Sequence, residues 1–540
     1  MTIRDIPSER YQDGRPGLRR FHQARWDEPI IFELSQSGQR GVLVPQTEDG
    51  IRDQVGNVLD TLPTGMRRTA PPALPELAQP HVVRHYFRLS QENLGADLNI
   101  EIGQGTCTMK YSPKIHDQLA ASPKMADLHP LQDERTVQGI LEILYRFEQI
   151  LIEISGMDRF TFQPAAGSAA IYTNASIIRA YHASRGEAEV RDEMITTIFS
   201  HPSNAACAKT AGFKVITLYP DTNGYPETAA LAAAVSERTA GLMITNPEDT
   251  GIYNPRIAEC VRIVHEAGGL CAYDQANANG ILGITRARDA GFDLCHFNLH
   301  KTFSAPHGCG GPGGGACGVS RELERFLPVP LVSRNGNRYS LDYDLPDSIG
   351  NLGPFYGNIP VVLKAYAWVM SLGARGLREV AEVAVLNNNY LLHRMREIPG
   401  LSVPYAPLRR IEQVRYSWDE LTRETGVHSE ELGVRAADYG LHYWTSHHPW
   451  VVPEPCTLEP TETPSKADLD EYVAVMRHVA EEAYADPATV KGAPYRSTIH
   501  QIDHGPLDDP SQWAMTWRAY RKKIARSRSG STPQGSDQQP

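Results

Sequence analysis

The chain has 540 residues, 41% of them hydrophobic and 22% charged, and a formal net charge of −11. That is enough for a large domain plus a smaller one of ordinary globular composition. The acidic balance argues against nucleic acid as a general partner, because phosphate binding is driven by Lys and Arg. The start Met1-Thr2-Ile3-Arg4-Asp5 lacks the apolar core of a signal peptide, and no later run approaches the ~20 apolar residues of a membrane helix. A cytoplasmic protein with no membrane partner is expected.

Residues 1 to about 80 read as a polar segment wrapping the main body, ending in the proline-rich connector Pro71-Pro72-Ala73-Leu74-Pro75, which resists helix and sheet alike. A large domain is expected over 81–370. Within it, Pro164-Ala165-Ala166-Gly167-Ser168-Ala169-Ala170 opens a helix that runs to Gly186. Small residues at a helix start leave N–H groups open to an anion, and the helix dipole adds partial positive charge. The stretch is either an ordinary helix start or a phosphate cradle to which Ser168 adds a hydroxyl. Short apolar runs follow at Ile195–Phe199, Val215–Leu218, Leu242–Thr245, Leu270–Tyr273, Leu294–Phe297 and Ala316–Val319. The spacing between them predicts helices over Ala229–Thr239 and Arg256–Ala267, the second stopped by Gly268-Gly269. This repetition of strand and helix implies a mostly parallel sheet with helices on both faces. Ligands on such sheets sit beyond the carboxyl ends of the strands.

Two residues occupy that position. Asp274 closes Leu270-Cys271-Ala272-Tyr273, and Lys301 follows Phe297-Asn298-Leu299-His300, with the glycine-rich run 308–315 behind it. A lysine amine can condense with the aldehyde of pyridoxal phosphate (PLP), and a carboxylate against the pyridine nitrogen keeps that ring protonated. The glycine run lacks the GxxxxGK[ST] order of a nucleotide loop, so it reads as backbone in close approach to the cofactor. Thr302 is a second candidate phosphate contact, Ala276 a candidate floor beneath the ring, His201 a candidate stacking residue and His300 a candidate proton carrier. Gly167 and Ala169 complete the cofactor loop. Beyond a long helix over Val361–Glu397, a smaller α+β domain is expected over 371–515, with a helix at Lys466–Ala483, and then a basic, disordered tail over 516–540. Eight cysteines without a CxxC pair indicate reduced thiols. His447-His448 and the histidines near Lys301 lack completing ligands, so no metal is expected.

Motifs spread along the chain carry a family likeness. They are Glu28–Glu33, Arg84–Ser90, Cys107–Lys114, Gln163–Gly167, Ala211–Lys214, Asn298–Thr302, Phe355–Asn358, parts of Gly376–Leu392, and Glu459-Pro460-Thr461-Glu462-Thr463. On these the chain resembles the glycine-cleavage P-protein, the PLP-dependent glycine decarboxylase, in the two-chain form whose second subunit carries the lysine. The resemblance implies a fold-type-I PLP architecture, with Lys301 as the Schiff-base lysine and Asp274 as the pyridinium partner. It implies a homo-oligomer or a heterodimer with a lysine-free first subunit, and transfer of an aminomethyl group to the lipoyl arm of the H-protein.

The chain also departs from the family pattern. Ala166-Gly167-Ser168-Ala169-Ala170-Ile171 stands where Ala-Gly-Ala-His-Gly-Glu is usual, and Ser200-His201-Pro202-Ser203-Asn204-Ala205-Ala206 where Ala-His-Gly-Thr-Asn-Pro-Ala is usual. After Gly433–Ala436 a small-domain helix is expected to be shortened before Tyr443-Trp444. Loss of an imidazole and a carboxylate suggests an enlarged pocket. The leading expectation is therefore a diverged PLP enzyme that forms an external aldimine with a larger α-amino acid and generates a Cα carbanion. The alternative is an authentic glycine decarboxylase subunit. A silent scaffold subunit is a third reading, opposed by the presence of both Lys301 and Asp274.

Overall fold

The computed structural model describes residues 11–12, 15–16, 18 and 21–528, apart from 96–98, 101, 105–109, 309–310, 354, 406–407, 443–450, 499–504, 506–508, 510–512 and 515. The chain divides into a unit Met1–Thr498 and a unit Ile499–Pro540. The second contains the helix Trp517–Arg528. Tyr443-Trp444, His447-His448 and the tail from Ser529 lie outside the described residues.

A seven-stranded sheet organises the first unit. Its order is Arg159–Thr161, Gly315–Val319, Leu294–Asn298, Leu270–Gln275, Thr239–Thr245, Glu193–Thr197 and Lys214–Leu218. Pairing is parallel from Leu294–Asn298 through to Lys214–Leu218, and Gly315–Val319 runs antiparallel to both of its neighbours. Thr239–Thr245, Leu270–Gln275 and Leu294–Asn298 are buried at every residue, which is why they appear in the sequence as unbroken apolar runs rather than alternating ones. Both faces are covered. Ile195, Leu242, Tyr273 and Phe297 pack on one side with the helices Gln138–Ser155 and Ile257–Glu266, while Met194, Ala272 and Leu294 pack on the other with Gly167–Ser184.

The six expected strands are present, each extended or shifted by one to three residues, and the fold is the expected one. Ala229–Thr239 is shorter than expected: the helix is Thr228–Ala234, and Thr239 already begins a strand. The predicted long helix is Ile359–Met395, interrupted at Gly373 (φ 64°), so two helices meet there. The smaller apolar core, around Leu391, Trp418, Leu458, Tyr472 and Met476, surrounds an antiparallel sheet of Gly103–Gln104, Val414–Ser417 and Pro455–Glu459. Its helix Lys466–Ala485 starts on a Ser465–Asp468 capping box. The helix Ser429–Ala437 ends at Asp438.

The N-terminal segment bonds to the body near its start, where the Gln23 N–H donates to the Arg496 carbonyl at 3.0 Å and Glu28 accepts from Arg88 at 3.0 Å. None of the residues 21–76 is buried, and every residue from 41 to 66 is exposed. Among the described residues no helix is long and apolar enough to cross a membrane, and no disulfide links the described cysteines.

Candidate active site

Asp274 lies near the carboxyl end of its strand, and the parallel register sets it beside Thr245 on one side and His296 on the other. Oδ2 accepts a hydrogen bond from the Asn204 amide at 2.8 Å and Oδ1 one from the Ala276 N–H at 3.0 Å, with His296 Nε2 3.3 Å from Oδ1. Burial opposes ionisation, but His296, the amide, the N–H and His201 outweigh it and hold the carboxyl below its ordinary range. His296 is itself held low by burial and by Lys301, against the pull of Asp274. A carboxylate offers about four acceptor sites, so the ionised Asp274 retains capacity for a ring N–H.

Lys301 stands three residues beyond the neighbouring strand, in a turn closed by its own N–H to the Asn298 carbonyl at 3.1 Å, and is 5% exposed. Its charge also bears on His300, which burial, Lys301 and His307 together push down to about 3. His300 is therefore a neutral imidazole at physiological pH. Its Nδ1 lies 3.1 Å from the Gly314 carbonyl and 3.2 Å from the Gly314 N–H, so the tautomer decides which of the two it engages.

The helix Gly167–Ser184 begins after Ala166, which is extended and makes no side-chain cap. First-turn N–H groups are thus left for an anion. The exposed Ser168 hydroxyl lies 2.9 Å from that of Ser203. Ser203 opens the helix Pro202–Thr210, and its N–H is accepted by Nδ1 of the N-cap His201 at 3.1 Å. Two helix starts therefore converge. A Cβ on Gly167 would sit 2.5 Å from Asn298 Nδ2, and one on Gly315 would sit 2.9 Å from Ala170 Cβ. Bare backbone at these two positions lets the loop before Gly167, the approach to Lys301 and the glycine run meet. Ala169 is half-buried beside Ser168, and Ala276 is buried next to Asp274. The Thr302 hydroxyl accepts from the Ala278 N–H at 2.9 Å and ties together the loops that follow the two central strands. In the Phe355–Asn358 loop, Asn358 donates to the Gly313 carbonyl at 3.0 Å, so the loop packs on this chain's own glycine run.

Several groups at the site escape sequence reasoning. Asn204 and His296 brace Asp274, and Ser203 meets Ser168 where the two helices begin. Glu459 Oε1 accepts from Asn277 and Asn279, in the loop after Asp274, at 2.6 and 2.7 Å. Glu412 is buried, and burial together with Glu459 raises its carboxyl well above the ordinary range. Glu248 accepts from the hydroxyls of Thr197 and Ser200, and burial lifts it to about 7. The one available signal was Asn-x-Asn after a strand-end acid, at Asn277 and Asn279.

These residues fit PLP. A buried amine, an ionised acid with spare acceptor sites and the uncapped helix start at Gly167, beside the Ser168 and Ser203 hydroxyls, supply what the cofactor needs. Asn204 Oδ1 and Thr245 Oγ1, buried around Asp274, have no protein partner. Residues 170–329 match the aminotransferase class-V family model, and a NifS-like protein shares the fold at TM-score 0.55 and 14% identity, covering 71% of this chain and 100% of that one. Fold and site together define a fold-type-I, PLP-dependent enzyme.

Residues 380–496 match the family model for the glycine dehydrogenase C-terminal domain. "Probable glycine dehydrogenase (decarboxylating) subunit 2" from Pyrococcus abyssi is 47% identical over 504 residues, covering 93% of this chain and 98% of that one. Its counterpart from Caldanaerobacter subterraneus subsp. tengcongensis is 42% identical over 475 residues, covering 88% and 96%. A crystal structure of glycine decarboxylase (P-protein) of the glycine cleavage system aligns at TM-score 0.68 and 20% identity, over 81% of this chain and 100% of that one. The chain belongs to the glycine dehydrogenase (decarboxylating) subunit 2 family.

The expectation of a diverged enzyme for a larger amino acid is therefore corrected, and the comparisons favour its alternative. The structure supplies a reason. Ile171, where the family carboxylate is lost, is 2% exposed and faces the core with Met194 and Leu294, while Ala169, where the imidazole is lost, is half-buried beside Ser168. The substitution at Ile171 fills the interior; it does not widen a substrate cavity.

Proposed function

We propose that this chain is the lysine-bearing half of a two-chain glycine decarboxylase. It takes free glycine, releases carbon dioxide and passes the remaining aminomethyl group to the lipoyl arm of an H-protein, with a lysine-free first subunit as partner. The observation that most supports this is an ionised Asp274 and a buried Lys301 at the ends of adjacent strands, in a chain related to subunit 2 enzymes over 93% of its length.

Lys301 would hold the cofactor covalently, and Asp274, kept ionised by Asn204 and Ala276, would hold its ring nitrogen protonated. The backbone of Gly167 to Ala169, with the Ser168 and Ser203 hydroxyls, would hold the phosphate. Ala276 and His201 would bound the ring on its two faces. When bound, PLP supplies an electron sink that makes a bond at the α-carbon of the amino acid breakable. Neutral His300, its Nδ1 engaged by Gly314, can take up or return a proton at Nε2.

The test is glycine-dependent exchange of labelled bicarbonate by the PLP-loaded chain with a first subunit and lipoylated H-protein. Exchange is expected with glycine and not with larger amino acids. The opposite preference would overturn the reading.

A further inference from the structure

We propose that residues 40–76 form a docking arm whose occupant is the first subunit of the same enzyme, an inference that rests on the two-chain reading above. The arm is an excursion closed at its base. The Gln36 N–H donates to the Glu76 carbonyl at 2.9 Å, the Gly38 N–H to Glu76 Oε2 at 2.6 Å, and the Ala78 N–H to Gln39 Oε1 at 3.1 Å. The first buried residue on the return is Leu77. Between these pins the chain is ordered into a helix, Asp49–Val55, and two 3-10 turns, Val58–Thr61 and Thr64–Met66, and none of the three buries a single residue.

The composition of the arm does not suit water. Val42, Leu43, Val44, Leu59, Met66 and Leu74 are each 67% to 80% exposed. Ile51 and Val55, four apart and on one helix face, are more than half exposed as well. More than half of the large exposed apolar side chains among the described residues fall between Trp26 and Leu131, about a fifth of the chain. Scattered apolar residues on a surface are ordinary, but such concentration marks an interaction site. Long excursions of this kind are usually functional. Ordering them costs backbone entropy that burial normally offsets, and none of the residues 40–76 is buried among the described residues.

The area is of the right size. At about 60–120 Å² for each large apolar side chain covered, the arm alone offers on the order of 600–1,000 Å², near the ~800 Å² that each partner contributes to a stable interface. The occupant follows from the relatives, which over 93% of this chain are named as subunit 2 of glycine dehydrogenase. The arm thus supplies a hydrophobic contact by which the lysine-bearing chain holds its complement.

The PLP-loaded full chain and a triple variant, Leu43→Asp, Leu59→Asp and Met66→Asp, can each be titrated with the first subunit by calorimetry. Because these side chains bury nothing in the single chain, the variant should keep the wild-type melting temperature and visible PLP absorbance. Its affinity for the first subunit should fall at least about 100-fold, as when anchor residues at the centre of an interface are lost. Wild-type affinity in a folded variant would overturn the proposal. So would a wild-type chain whose self-association in sedimentation velocity is abolished by the variant, which would make a second copy the occupant. A wild-type chain that binds no first subunit would instead refute the two-chain reading itself.

Discussion

Asp274 is ionised where burial alone would keep it neutral, and the groups that achieve this are Asn204, Ala276, His201 and His296. Removing the acid leaves those donors facing no charge. Asp274→Asn should weaken PLP binding by about 3 kcal/mol or more, at least about 100-fold, since breaking a buried charge pair from one side costs 3–5 kcal/mol; titration of the apo-chain with PLP, followed by absorbance, measures it. Glu248 gives a second residue-scale prediction. Its folded-state value is raised from 4.5 to about 7, so the folded chain holds the proton that the unfolded chain gives up. Stability associated with this group is present below about pH 4.5, falls as pH rises toward 7 and then levels off, a change of about 3 kcal/mol. Glu248→Gln should therefore gain on the wild type in thermal melts at pH 8 relative to pH 5. An unchanged difference between the two would show that the carboxyl is not held neutral. Lys301 and Asp274 were legible in the sequence because their chemistry demands those residue types just past apolar strands. Asn204, His296 and Ser203 were not, because neutral polar residues carry no such mark and their partners lie far away in the chain.

At the scale of elements, the loop after Thr239–Thr245 fastens the sheet to the smaller core. Gln413 Nε2 donates to the Glu248 carbonyl at 2.9 Å, the Ile411 N–H donates to the Gly251 carbonyl at 2.8 Å, and Asp249 pairs with the buried Arg415. Gly251 is at φ +73°, and a Cβ there would run into the backbone carbonyl of Gln413. Gly251→Ala should destabilise the chain by about 2–3 kcal/mol, combining overpacking with an unfavourable φ, and denaturant unfolding reads the loss. The central strands were legible because burial on both faces writes them as apolar runs. The strands Val414–Ser417 and Pro455–Glu459 were missed: Arg415, Thr457 and Glu459, buried yet polar, interrupt that pattern. The hairpin Leu331–Asn335 and Arg338–Asp342, joined at Gly336-Asn337, carried a turn signal that went unused. The break at Gly373 was hidden because helical spacing continues on either side of it.

For the whole molecule, the motifs along the chain were sufficient to identify the family, while the substrate was misjudged from substitutions whose direction only the fold reveals. A residue such as Ile171 can replace a polar family residue by turning into the core, with no consequence for the pocket. If the chain is the lysine-bearing half of a decarboxylase, mixing it with a first subunit should produce bicarbonate exchange from glycine that neither chain shows alone, and Lys301→Ala should abolish it. The most direct test of the central claim is to reduce the PLP-loaded chain with borohydride and map the peptides by mass spectrometry. The account predicts one pyridoxyl-modified peptide, the one containing Lys301. No modification, or modification of another lysine with Lys301 left untouched, would contradict it.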